Sequence, residues 1–164
     1  MSKIQPGQSA PAFALTGMDG QKHSLADALK KGPVLAAFFK ISCPVCQFTF
    51  PFLERMYESY GGGKVSFWGV SQDNAADTKE FLAEFGVKFQ TLLDADGYKV
   101  SKQYGLTNVP TIFLIQPDGK VQTACVGFAK KELETMAAQM AAASGKTPQP
   151  VFRPGEQIPE YRPG

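Results

Sequence analysis

The chain reads as an α/β protein, a central mixed β-sheet with helices on both faces. Three observations carry that reading. Two continuous apolar runs, Val34–Phe39 (VLAAFF) and Val65–Val70 (VSFWGV), have the length and composition of strands buried on both faces. Around them lie segments whose apolar residues recur at three- and four-residue intervals, the period of a helix with one buried face. Late in the chain, two apolar stretches flank the turn Pro117-Asp118-Gly119 as an antiparallel hairpin, so the sheet mixes strand directions.

Taken from the N-terminus, AFAL (Ala12–Leu15), the Asp19-Gly20 turn and KHSL (Lys22–Leu25) predict a small strand pair. Ser24 is placed to cap a short helix reaching Lys30, stopped by Gly32-Pro33. After the first buried run, Val45, Phe48, Phe52, Met56 and Tyr60 predict a long helix with one apolar face. Pro44 suits its first turn, where no N–H is needed; Pro51 removes an internal hydrogen bond and should kink it. Gly61-Gly62-Gly63 ends that helix. Asp73 or Asn74 caps the next, which sets Thr78, Phe81, Leu82 and Phe85 on one face. Thr91–Leu93 reads as a short strand, and a helix follows to Tyr104 with Gly105 as its stop. Thr111–Ile115 and Lys120–Val126 form the hairpin. Leu133, Met136, Ala137 and Met140 mark a last amphipathic helix, stopped by Gly145. Residues 1–145 make one domain on this reading. Residues 146–164 contain Pro148, Pro150, Pro154, Pro159 and Pro163, which predict an extended tail outside the core. It is either anchored to the surface by Phe152, Ile158 and Tyr161 or disordered.

Composition narrows the function. At 164 residues and 43% hydrophobic, the chain can bury the core of one domain. Its 17 basic and 15 acidic side chains are interspersed and leave a net charge of +2, which argues against nucleic acid or an anionic membrane as partner. No apolar segment approaches the roughly 18–20 residues that span a bilayer. The opening MSKIQPGQSAPAF lacks the apolar core of a signal peptide, and three cysteines cannot all pair within one molecule. A cytoplasmic protein is the expectation, or a periplasmic or secreted one if a signal has been removed.

The chemistry centres on Cys43 and Cys46. A Cys-x-x-Cys at a strand-to-helix junction sets its first sulfur at the helix N-terminus, where unpaired backbone N–H groups favour negative charge and hence the nucleophilic thiolate. Structural cysteines, or half of a zinc site completed by Cys125 and His23, are the alternatives. No second Cys-x-x-Cys exists, and Pro44 directly after Cys43 suits an active-site turn, so thiol–disulfide exchange is preferred and no metal or other cofactor is expected. Cys125 alternates with Val121 and Thr123 on a strand and reads as a buried small hydrophobe. His23 reads as a surface or capping residue, Trp68 as core and Lys40 as a solvated strand-end charge.

FFKISCPVCQFTFP, with a proline five positions beyond the second cysteine, resembles the active-site segment of the thioredoxin fold. NVPTIFLIQPDGKV is similar to the later part of that fold, and GQSAPAF, GVSQD and an extra α/β insertion before NVPT resemble its redoxin branch. That branch holds the TlpA/ResA-like thiol–disulfide oxidoreductases and the AhpC/TSA peroxiredoxins. The resemblance covers roughly residues 5–145. It implies Cys43 as nucleophile, Cys46 as resolving thiol, and a cis bond before Pro110 that lets Val109 offer its backbone to substrate and keeps metal from the thiols. It implies protein or small-molecule disulfides and dithiols as substrates, with an unidentified electron donor or acceptor. Two departures stand out: Ser42 replaces a tryptophan common in thioredoxins, and Ala37 replaces their buried acid. Glu54 is the nearby acid by helix geometry and is expected to face solvent. Peroxiredoxins use Pro-x-x-x-Thr/Ser-x-x-Cys; counting back from Cys43 gives Ala36 and Lys40, and from Cys46 Phe39 and Cys43, so neither register fits. A peroxidase, or a non-catalytic binding module on the same fold, is the runner-up.

Overall fold

The computed structural model describes residues 4–164. β1 (Ala14–Thr16) and β2 (Lys22–Ser24) form a separate antiparallel ribbon. α1 (Leu25–Leu29) follows, with Ser24 Oγ accepting the Asp27 N–H at 3.1 Å as its cap. β3 (Val34–Phe39) leads into α2 (Pro44–Tyr60), β4 (Ser66–Ser71) into α3 (Ala75–Glu84), and β5 (Thr91–Leu93) into α4 (Lys99–Gln103). β6 (Thr111–Ile115) turns back as β7 (Val121–Val126), then come β8 (Phe128–Ala129), α5 (Lys130–Ser144) and β9 (Tyr161–Arg162).

The main sheet has the order β5-β4-β3-β6-β7. β3 lies between a parallel neighbour, β4, and an antiparallel one, β6, so the sheet is mixed. Every residue of β3 is buried, and its side chains divide between two clusters. Leu35, Ala37 and Phe39 pack with Phe50, Leu53 and Met56 of α2, Phe81 of α3 and Leu133 of α5. Val34, Ala36 and Phe38 pack with Leu25, Trp68, Val100 and Tyr104. Helices therefore cover both faces, as the continuous apolar runs predict. Each fully buried Phe or Leu contributes about 1.5–3 kcal/mol through burial. α2 runs unbroken through Pro51. Gly105 and Gly145 close α4 and α5 with positive φ, a conformation glycine adopts without steric cost.

Residues 146–164 fold back over α2. Val151 is buried in the same cluster as α2, and Phe152 packs on Phe52 and Phe128 at ring-centre distances of 5.2 and 5.9 Å. Ile158 packs on the same cluster, whereas Tyr161, the third anchor expected, is exposed. The segment has polar ties that composition did not indicate. Arg55 meets Glu156 through two charge-assisted bonds of 2.8 and 2.6 Å, and the Arg153 N–H donates to Glu156 Oε1 at 2.6 Å. Arg55 also stacks 4.9 Å from the Phe52 ring centre.

Bonding from Arg55, with the Arg153 N–H adding to it, holds the Glu156 carboxyl at about 2, against an ordinary value of 4.5. A carboxyl lowered on folding stabilises the docked segment fully above 4.5 and loses that effect as pH falls through about 2. The Arg153 amide should therefore keep its hydrogen-exchange protection factor down to about pH 4.5 and lose it across that window. In Glu156→Ala the protection should be low throughout. A flat profile in the parent protein would show that the ion pair does not hold the segment.

Candidate active site

The antiparallel pairing of β3 with β6 sets the site. Phe38 lies opposite Thr111, so the chain leaving β3 at Phe39 and the chain entering β6 from Pro110 meet at one end of the sheet. The loop between β3 and α2 is held at Ile41 from two sides. Asp73 Oδ2 accepts the Ile41 N–H at 2.8 Å, and Gln47 Nε2 donates to the Ile41 carbonyl at 2.9 Å. The cap of α3 is Asn74, whose Oδ1 accepts the Asp77 N–H at 2.8 Å. Asp73, the alternative cap in sequence terms, is instead a positioning residue for the cysteine loop.

Cys43 is the N-cap of α2. Its Sγ accepts the Cys46 N–H at 3.1 Å, filling one of the donor positions left open by the first helical turn. The same sulfur, as a thiol, donates to the Val109 carbonyl at 3.4 Å. Pro44 occupies the first turn without forfeiting a bond. Cys43 is partly exposed; Cys46, one turn on, is fully buried. Burial, reinforced by a hydrogen bond with Cys43, pushes the Cys46 thiol well above the ordinary cysteine value. The pair thus joins an accessible sulfur at a helix start to a protected neighbour, an arrangement suited to attack followed by resolution.

Val109 stands beside Cys43, and the Val109–Pro110 peptide bond is cis. The Thr111 hydroxyl donates to the Asn108 carbonyl at 2.8 Å, and the Gly127 N–H donates to the Pro110 carbonyl at 2.8 Å. Val109 is thereby held against Cys43 by bonds on either side of it.

The remaining candidates fall elsewhere. Cys125 is buried on β7, its Sγ 3.4 Å from the Gly127 carbonyl, with burial pushing its thiol up to about 12. His23 pairs with Asp19 at 2.9 Å and sits edge-on to Trp68, which belongs to the cluster on the other face of the sheet from the thiols. The alternative zinc quartet is therefore not assembled. Glu54 does not face solvent: it is buried, and its Oε1 accepts the Lys88 N–H at 2.8 Å while Oε2 has no partner. It ties α2 to the loop before β5. Spacing along α2 shows which turn Glu54 occupies but not that the Lys88 N–H reaches it.

Residues 6–124 match the model of the AhpC/TSA family. The thiol-disulfide oxidoreductase ResA of Bacillus anthracis is 34% identical over 131 residues, covering 79% of this chain and 75% of that protein. ResA of Bacillus subtilis strain 168 is 32% identical over 128 residues, covering 76% and 69%. Among solved structures, one described as a thiol:disulfide interchange protein DsbE from Chlorobium tepidum superposes with a TM-score of 0.76 at 31% identity, covering 87% of this chain and all of that one.

Burial ranks the three thiols. Reduced protein treated with iodoacetamide at pH 8 should gain one adduct, on Cys43, with Cys46 and Cys125 reacting only after denaturation. Mass spectrometry of the tryptic peptides reads this directly; prompt labelling of Cys125 in folded protein would contradict the burial described.

Asp73→Ala leaves the Ile41 N–H without its charged acceptor. We expect a loss of about 1–3 kcal/mol in denaturant unfolding, with slower alkylation of Cys43 as its loop loosens. Unchanged stability and unchanged labelling would remove the positioning role.

Proposed function

The chain belongs to the AhpC/TSA family and is a thiol–disulfide oxidoreductase, and we propose that Cys43 is its attacking sulfur and Cys46 its resolving one. One observation carries the assignment: the accessible sulfur caps α2 and accepts a backbone N–H, while its neighbour is buried and held as a thiol. In the reducing direction, the Cys43 thiolate attacks one sulfur of the substrate disulfide. The S–S bond breaks, the departing thiolate takes a proton, and the other half stays bonded to Cys43. Cys46 then loses its proton and attacks the Cys43 sulfur, releasing the second half as a thiol. The substrate has gained two electrons and two protons, and the enzyme holds a Cys43–Cys46 disulfide. A dithiol donor restores it, and the reverse cycle would oxidise substrates.

Val109 and Pro110 form the substrate-facing backbone beside Cys43 on this reading. Residues 1–145 are the catalytic domain and 146–164 a strap laid across it. The setting on this reading is cytoplasmic, or periplasmic or secreted if a signal segment has been removed. Among the described residues, no helix is long and apolar enough to cross a membrane.

The test is variant trapping. Cys43→Ser should abolish exchange, whereas Cys46→Ser should accumulate a mixed disulfide on Cys43. Release from that intermediate in the parent protein should accelerate as pH rises from 6 to 9, because the resolving thiol is raised by burial and must first ionise. Stopped-flow comparison of oxidants completes it: ready reaction with disulfides and reaction with hydrogen peroxide near that of a free thiolate, since Lys40 stands three residues before Cys43 where the peroxiredoxin pattern has Thr or Ser. Adducts forming first on Cys46 would reverse the roles, and fast peroxide cleavage blocked by Cys43→Ser would make the protein a peroxidase.

A further inference from the structure

Residues 160–164 end beside the reactive sulfur. The Lys130 N–H donates to the Glu160 carbonyl at 3.0 Å, and β9 pairs antiparallel with β8, Phe128 opposite Arg162 and Ala129 opposite Tyr161. The Arg162 guanidinium lies 4.7 Å from the ring centre of Phe48, on the same helix as the thiols. Asn108 Nδ2 donates to the Gly164 carbonyl at 3.4 Å. Gly164 lies so close to the Val109–Pro110 peptide that a Cβ there would collide with the Val109 carbonyl oxygen. That oxygen is the one 3.4 Å from Cys43 Sγ. Across the strand, a Cβ on Gly127 would meet the Arg162 carbonyl oxygen at 2.5 Å and Gly164 N at 3.1 Å. The strand therefore fills a slot bounded by Val109, Gly127 and Phe48, and one glycine in the strand, Gly164, and one in the wall, Gly127, permit the fit.

We propose that residues 160–164 are an internal stand-in for substrate, laid in the slot that a disulfide-bearing polypeptide segment must enter to reach Cys43. The inference rests on the oxidoreductase reading and adds a substrate class: an extended polypeptide that displaces the strand as it binds. A small disulfide needs only the partly exposed sulfur and reacts without displacement. The strand is built to leave. Its pairing is two residues long, Tyr161 is 55% exposed, and the ion pair flanking it, Lys130 with Glu160, is 3.8 Å apart with Glu160 in solvent, the weak kind. If the slot is open a tenth of the time, the apparent affinity for a polypeptide is about tenfold below that of the empty slot.

Two activated disulfides with the same leaving group separate the routes. One is 2,2′-dithiodipyridine; the other is a short unstructured peptide whose central cysteine carries a 2-thiopyridyl group. In each case Cys43 displaces pyridine-2-thiolate, which takes up a proton as 2-thiopyridone, and a mixed disulfide forms. Deletion of residues 160–164, and separately Gly164→Val, should raise the peptide rate at low peptide concentration about tenfold and leave the small-disulfide rate unchanged. Gly164→Val alters one side chain and keeps the comparison valid if the deletion does not fold. A peptide rate that is unchanged, or that falls, with the small-disulfide rate intact would overturn the proposal. Failure of the parent protein with both reagents would instead overturn the oxidoreductase reading. As an independent readout, Cys46→Ser protein carrying the peptide on Cys43 should lose hydrogen-exchange protection at the Lys130 amide, whose acceptor is Glu160. Retained protection there would show that the strand stays in place.

Discussion

The burial of β3 on both faces is the constraint from which the rest of the structure follows. Its six residues have no polar side chain and no exposed one, so the strand must sit between two layers and between two hydrogen-bonded neighbours. The parallel neighbour, β4, requires a crossover, and α2 supplies it, which puts the start of α2 at the C-terminal end of β3. The antiparallel neighbour, β6, must enter the sheet at that same end, which brings Val109 to Cys43. Residues 66 positions apart in sequence meet because one strand is sandwiched. The Asp73 bond to Ile41 belongs to the same logic, because β4 ends level with β3 and hands its following loop to the cysteine loop.

Within that frame, burial and position divide the chemistry among three thiols. Cys43 lies at the sheet end, where the helix start leaves donors free and solvent reaches the sulfur. Cys46 is one turn deeper, close enough to reach Cys43 and shielded from everything else. Cys125 is just as shielded from solvent but lies on β7, opposite Ile112, its Sγ within hydrogen-bond reach of the Gly127 and Ala129 carbonyls. A buried thiol without a partner sulfur is inert; a buried thiol beside one becomes a resolving group.

The parts of this site written in local sequence are legible there. An apolar run, a turn and Cys-x-x-Cys within a few residues are enough to place Cys43 at a helix start, because no distant segment takes part in that arrangement. Val109 and Pro110 come instead from resemblance, because nothing local in NVPT says what it faces. Asp73 and Asn74 are chemically interchangeable as caps, and only the approach of the β3–α2 loop decides that one caps while the other reaches Ile41. The solvent exposure expected of Glu54 fails for a related reason. Its place between Leu53 and Arg55 marks the border of the apolar face, and whether a border residue is covered depends on a loop 34 residues later. β8 and β9 are two residues each, too short for any periodicity to register.

The tail shows how a segment without regular structure becomes ordered, and where that order is thinnest. Fixing each backbone residue costs about 1–2 kcal/mol of conformational entropy, so an extended stretch stays docked only where its anchors exceed that cost. Proline lowers the cost by narrowing the unfolded ensemble, which is one consequence of the composition of residues 146–164. Between Val151 and Ile158 the anchors are strong: buried apolar side chains, an aromatic cluster, and the paired bonds of Arg55 to Glu156. Beyond Pro159 they thin to two paired residues, single hydrogen bonds at Glu160 and Gly164, one stacked guanidinium and a long ion pair with Glu160 in water. Local opening follows the weakest anchors, so the segment can release its last residues while its middle stays in place. The part able to open is the part that lies against Val109, and strong anchoring upstream keeps it near the slot at high effective concentration when it does.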